Sequence, residues 1–207
     1  MSIDSNVEQL LAESEEEVSR LEWSGTFSDY LSMVIKDPFI SRLSHKLVYD
    51  AIMANGVSEL KDGSPSYGLF EGTIFGMTDT LGRIVKYFSS SSRRLEIRKR
   101  VLLLVGPPAS GKSSIVALIK QALEQYTRTE PGVVYAIRGC PMQEEPLHLI
   151  PETIRQRFAS DYGIHIEGDL CPRCRYNLRT KYDGKLSRVP ISRIVFSEQE
   201  AIGIGYY

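Results

Sequence analysis

The chain has 207 residues, 42% hydrophobic and 25% charged, an ordinary balance for a globular protein long enough to bury a core of its own. Lys and Arg number 25 against 26 Asp and Glu, a formal net charge of -1, so no basic excess argues for nucleic acid or an anionic membrane surface as a partner. Three cysteines, an odd number, do not make a disulfide framework and fit a reducing compartment, with the cytoplasm as the default.

The opening "MSIDSNVEQLLAESEEE" is acidic and has no uninterrupted apolar core, so it reads as neither a secretory signal nor a transit peptide. Val7, Leu10, Leu11, Val18 and Leu21 recur near helical spacing and predict an amphipathic packing or docking helix. "GTFSDYLSMVIKDP" then offers Thr26 as an N-cap with Asp29 three residues on, and Pro38 closes that helix. In "FISRLSHKLVYDAIMANG", Ile40, Leu43, Leu47, Ala51 and Ala54 share one helical face and Gly56 is placed to end it.

From Val57 to Thr73 the composition turns to Gly, Ser and Pro, which predicts a loop or linker. The expected organisation is therefore a helical N-terminal extension over 1–72 and a second domain over 73–207. "IFGMTDTLGRIVKYF" resumes helical spacing through Leu81, Ile84, Val85 and Phe88, then runs into Arg93, Arg94, Arg98, Lys99 and Arg100. The plain reading of that basic cluster is a solvated face or linker; an acidic-partner or nucleic-acid surface lacks interleaved aromatics to support it.

The most informative stretch follows. "VLLLVGPPASGKSSIVALIK" satisfies G-x-x-x-x-G-K-[ST] with Gly106, Gly111, Lys112 and Ser113. The apolar run before it suits a parallel strand covered on both faces, and it stops well short of membrane-spanning length. Ile115, Leu118, Ile119 and Ala122 give the segment after it an inward helical stripe. In such a loop the glycines let backbone N–H groups converge on phosphates at a helix N-terminus. Lys112 would neutralise phosphate charge, and Ser113 would offer its hydroxyl to Mg²⁺. Gly106, Pro107, Pro108, Ala109, Ser110, Gly111, Lys112, Ser113 and Ser114 are the candidate nucleotide contacts, with Lys112 the candidate catalytic residue.

Chemistry on a phosphate also needs an acid at the end of a second strand. "GVVYAIRG" reads as a strand but ends in Arg138 and Gly139; "VPISRIVFSEQE" reads as another and ends in Ser197 and Glu198, the latter expected to be a surface residue. A GTPase is rejected, because "DTLG" (Asp79 to Gly82) precedes the phosphate loop and "TKYD" (Thr180 to Asp183) has no apolar strand before it. Glu144, Glu145 and His148 in "EEPLHLIPETI" read as helix-start carboxylates and a half-buried histidine rather than an acid–base set.

Cys171 and Cys174 in "CPRC" have the spacing of a zinc knuckle, which wants four ligands. No second C-x-x-C occurs, and Cys140, His148 and His165 are the other soft donors considered, so reduced structural cysteines are expected ahead of zinc or a redox pair.

Together, "LEWSGTFSDYL", "FGMTDTLGRIVKYF", the phosphate loop, "RGCPMQEEPLHLIPETIR", "YGIHIEGDLCP" and "IVFSEQEAIGIG" resemble the N-terminal AAA-type ATPase region of the bacterial PrkA serine protein kinases, in order along nearly the whole chain. The resemblance implies a three-layer α/β P-loop (AAA+) domain that binds ATP with Mg²⁺, in which Phe75 and Gly76 of "IFGM" wall the adenine. It implies ATP hydrolysis or phosphoryl transfer to a protein serine in a longer protein, of which this chain is expected to be a part. It also implies a protein substrate of unspecified identity and assembly into a homo-oligomer, as AAA+ domains commonly form rings. A non-catalytic, nucleotide-gated interaction module is the alternative.

Overall fold

A computed structural model describes residues 5–92 and 101–204. The elements in chain order are α1 (Ser5–Leu21), β1 (Ser24–Thr26), α2 (Phe27–Lys36), α3 (Ser44–Ala54), β2 (Val57–Glu59), β3 (Pro65–Tyr67), α4 (Thr78–Ser92), α5 (Lys112–Thr127), β4 (Val134–Ile137), α6 (Glu152–Tyr162), α7 (Pro172–Thr180) and β5 (Pro190–Ile194). They fall into two compact units, Met1–Ser41 with Val133–Val195 and Arg42–Gly132 with Phe196–Tyr207. The boundary expected near residue 72 thus lies inside the second unit. The basic cluster Arg93 to Arg100 lies outside the described residues.

In the first unit, β5 is the central strand, paired antiparallel to β1 on one side and to β4 on the other, with Ile191 opposite both Gly25 and Ile137. The core holds Ile191 and Ile137 of this sheet with Phe27, Tyr30 and Val34 of α2. Trp23 meets Tyr135 edge to face at 5.0 Å, a favourable arrangement for two ring quadrupoles. The exposed side chains of α1 include Val7 and Leu10.

The start of α2 is as its sequence dictates. Asp29 Oδ2 accepts from Thr26 N–H at 2.8 Å and from Thr26 Oγ1 at 2.7 Å, while Thr26 Oγ1 accepts from Asp29 N–H at 3.3 Å. These two residues satisfy orphan donors reciprocally. Thr26→Ala is expected to cost about 1 kcal/mol, read as a lower urea midpoint at unchanged slope. The hydrogen bonds from the Thr26 backbone and hydroxyl hold the Asp29 carboxyl below its ordinary range. Its stabilisation is therefore present above the unfolded-state pKa and fades as pH falls through the folded one, so the deficit of the variant should shrink in acid.

The second unit packs α3, α4 and α5 around Ile52, Phe70, Leu81, Ile84, Val85 and Ile115. The helix expected from Ile40 starts later, at Ser44, after a 3-10 turn over Pro38–Ser41. The segment expected to be a linker, 57–73, instead forms the β2–β3 hairpin and a 3-10 turn that buries Phe70. Its glycine content has a packing cause: a Cβ on Gly68 would lie 2.2 Å from the Asn55 carbonyl oxygen, so only glycine lets these backbones approach.

Helices and sheets together give the mixed α/β class, but the parallel strand expected at 101–105 is not formed. Val101, Leu103 and Val105 are 90%, 76% and 84% exposed, while Leu104 packs against the second core. The strand pairs among the described residues are antiparallel. An apolar run becomes an interior strand only when flanking strands take up its N–H and C=O groups. The two segments expected to flank it, β4 and β5, pair with each other and with β1 instead.

Candidate functional site

In the second unit the phosphate loop leads directly into α5. Gly111 sits at φ +75 as the N-cap and Ala109 at φ 61, the left-handed conformations that turn the chain back on itself. A Cβ on Gly106 would lie 2.9 Å from Ser110 Oγ, so the loop closes on glycine there. Lys112 Nζ donates to the carbonyl oxygens of Gly106 at 2.8 Å and Pro107 at 2.6 Å, and to Ser110 Oγ at 2.9 Å. The loop is wrapped around this ammonium.

The first turn of α5 carries no acidic residue; Ile115 N–H donates to the Gly111 carbonyl at 2.9 Å, the first bond of the helix, and the N–H groups before it lie at the open helix end. Ser113 and Ser114 are exposed there, as are Pro107 and Pro108. Because the two prolines have no N–H, backbone donation to an anion falls to the stretch from Ala109 to Ser114. A helix end with a fixed ammonium and no acidic residue in its own first turn fits a nucleotide's phosphates.

The "IFGM" segment lies against this loop. Ile74 Cδ1 and Met77 Sδ come within 3.6 and 3.7 Å of the position a Cβ on Gly111 would take. Gly76, at φ +68, lines a small cavity of about 60 Å³ with Tyr67, Phe70, Ile74 and Met77, whereas Phe75 is 77% exposed. Sequence reading chose Phe75 and Gly76 and missed Ile74 and Met77, the apolar neighbours that touch the loop. Glu198, expected at a strand end, lies past the end of β5 and is half-buried, paired with Lys120 at 2.7 Å while its N–H donates to Glu124.

The remaining singled-out residues converge in the first unit. His148 Nδ1 lies 2.5 Å from Glu144 Oε1, and His148 Nε2 lies 2.7 Å from the Glu167 carbonyl oxygen. Both ring nitrogens are thus engaged, which fixes the orientation of the imidazole. A Cβ on Gly168 would stand 3.0 Å from that ring, and Arg155 donates to the Ile150 and Gly168 carbonyls at 2.9 and 2.7 Å. Glu144 Oε2 accepts from Cys171 N–H at 2.9 Å. Burial alone would raise the Glu144 carboxyl; hydrogen bonds from His148 and Cys171 outweigh it and hold the group below the ordinary range. Glu145 is raised by burial and accepts from Tyr30 OH at 2.9 Å, and Tyr30 is raised well above the phenol range by burial and by Glu145. Glu144, Glu145 and His148 are thus each tied by hydrogen bonds to neighbouring segments of the first unit.

Cys171 caps α7, its sulfur accepting from Cys174 N–H at 3.4 Å. Cys140 Sγ stands 3.7 Å from Cys171 Sγ, so the third cysteine joins the C-x-x-C pair. His165, another soft donor considered, is exposed.

Among the described residues no helix is long and apolar enough to cross a membrane. No solved structure matches the chain. The ATP-dependent protease PrkA of Bacillus subtilis (strain 168) is 45% identical over 193 residues, 93% of this chain and 30% of that protein. An uncharacterized protein in the gldA 5' region of Geobacillus stearothermophilus is 39% identical over 83 residues, 40% of this chain and 84% of that protein. The serine/threonine kinase YeaG of Escherichia coli (strain K12) is 32% identical over 101 residues, 47% of this chain and 15% of that protein. The chain therefore spans less than a third of the Bacillus and Escherichia relatives. A family model for the PrkA AAA domain matches residues 25–207, from β1 through the phosphate loop and the cysteine segment. The lysine-filled loop at a helix N-terminus thus sits inside a continuous match, and the chain belongs to the PrkA AAA domain family, a class of P-loop nucleotide-binding domains.

Proposed function

We propose that this chain binds ATP with Mg²⁺ through Gly106–Ser114 and contributes that nucleotide site to a longer PrkA-type ATPase and serine protein kinase. The observation that carries this reading is the Lys112 ammonium held by two loop carbonyls and a hydroxyl at the head of α5. A phosphate arriving there meets a charge already positioned, with backbone donors from Ala109 onward around it. Ser113, exposed in the first turn, would supply its hydroxyl to the magnesium shell, and the metal in turn would neutralise phosphate charge. The Ile74–Met77 segment is the wall against which the base would rest, with exposed Phe75 able to fold over it.

The two full-length relatives are named for different activities, one a protease that depends on ATP and the other a kinase. What a protease and a kinase of one family share is use of the nucleotide, which is why binding is assigned to this segment and the later chemistry to the longer protein. A nucleotide-gated interaction module is the competing reading, favoured by the pairing of Glu198 with Lys120, which leaves that acid engaged away from a metal.

Incubation with γ-labelled ATP and Mg²⁺, separating free phosphate from phosphoprotein, decides between them. Label in either product that disappears in Lys112→Ala supports the enzyme, with phosphoprotein supporting the kinase. Tight ATP binding with no labelled product leaves this segment the nucleotide site alone, with the chemistry in the longer protein; partner capture that requires ATP but not hydrolysis supports the module, and no ATP binding overturns both.

A further inference from the structure

Three thiols and one carboxylate that are distant in sequence meet in the interior of the first unit. One donor atom from each of Cys140, Glu144, Cys171 and Cys174 lies within 4.8 Å of every other, and three of the four residues are buried. In a tetrahedral zinc–thiolate site with Zn–S near 2.3 Å, neighbouring sulfurs stand about 3.8 Å apart. The Cys140–Cys171 separation of 3.7 Å matches that edge.

The backbone around each donor is already committed. Cys140 sits in a tight turn closed by Cys140 N–H to the Ile137 carbonyl and Gln143 N–H to the Cys140 carbonyl, with Gly139 at φ +74 and Gln143 at φ 48. Ile137 N–H donates to the Glu144 carbonyl, which fixes the base of that turn. Cys171 caps α7 and Cys174 lies in its first turn, with the Cys174 N–H pointing at the Cys171 sulfur. Glu144 is oriented by His148, which is anchored in turn by the Glu167 carbonyl, the kind of outer support that fixes a metal-binding carboxylate.

We propose that Cys140, Cys171, Cys174 and Glu144 form a structural site for a thiolate-seeking divalent cation, zinc first, which ties the turn after β4 to the start of α7. Binding forms three metal–sulfur bonds and one metal–oxygen bond and releases the three thiol protons to solvent; no electron is transferred. The site is independent of the nucleotide reading, because it uses none of the phosphate-loop residues.

The test uses the full chain, purified under reducing conditions without added metal or chelator. Its zinc content should approach one per chain. Cobalt(II) titrated into the stripped protein should give thiolate-to-metal charge transfer and the intense visible bands of a tetrahedral site, both displaced by zinc. Cys140→Ser should weaken cobalt binding by more than about a hundredfold, the upper end of what outer-shell changes cost. Glu144→Gln should shift the visible bands. Absence of zinc together with absence of these bands in the unaltered chain overturns the proposal without relying on any variant. So does a cobalt spectrum unchanged in Cys140→Ser, or a Cys140–Cys171 disulfide found by mass spectrometry after thiol blocking at lysis. Bands that do not move in Glu144→Gln remove the carboxylate from the ligand set and overturn the site as drawn.

Discussion

Lys112→Ala is expected to weaken binding of Mg·ATP by about a hundredfold, with little loss of folded-state stability. Charge-assisted hydrogen bonds contribute roughly 1.5–3 kcal/mol, and each 1.4 kcal/mol is a factor of ten in affinity. The ammonium joins Gly106, Pro107 and Ser110 at one point, so its removal takes away a phosphate ligand and the tie that curls the loop. Stability should change little because the loop carbonyls at Gly106 and Pro107 lie in exposed residues that water can reach. Calorimetric titration gives the affinity, and a thermal shift with excess ATP, present in the parent chain and absent in the variant, gives an independent reading. Equal affinity in the two proteins would remove this loop from the nucleotide site. Lys112→Arg should not restore binding, since a planar fork does not fit a pocket shaped to a compact ammonium.

The second large effect concerns which apolar residues carry the fold. Ile191→Ala should cost about 3–4 kcal/mol, within the roughly 2–5 kcal/mol range for truncating a buried aliphatic side chain. Ile191 is 0% exposed on the central strand of the first sheet, facing α2, and no neighbour can collapse into its space without disturbing both β1 and β4. Leu103→Ala, at a residue 76% exposed, should change stability by less than about 0.5 kcal/mol. Urea unfolding followed by far-ultraviolet circular dichroism compares the two, with the emission of Trp23, the single tryptophan, reporting on the first unit. A cost at Leu103 as large as that at Ile191 would mean that 101–105 is a packed strand after all.

The contrast between Ile191 and Leu103 shows where sequence reading succeeds and where it stops. "VLLLV" is uninterrupted and "VPISRIV" is broken by Pro190, Ser192 and Arg193, yet the more apolar stretch is the exposed segment and the other is the middle of a sheet. Burial of a strand depends on the partners beside it, and those come from far along the chain. The discontinuity of the two units has the same origin: β1 and β5 pair at a separation of 164 or more positions only through contacts that no local pattern records, as Thr26 opposite Pro190 illustrates.

What the amino-acid order determined alone were features closed within a few residues. The Thr26–Asp29 cap, the helical stripe of Leu81, Ile84 and Val85 and the turn of the phosphate loop into α5 each depend on hydrogen bonds or side-chain spacing within a turn or two. Such features follow from backbone geometry and propensity wherever the segment ends up. Tertiary structure alone decided that the strands run antiparallel, that Ile74 and Met77 touch Gly111, and that Cys140 and Glu144 complete a cluster with Cys171 and Cys174. Each of those requires closing a long loop, and its outcome is set by the summed burial of the whole unit rather than by any one stretch.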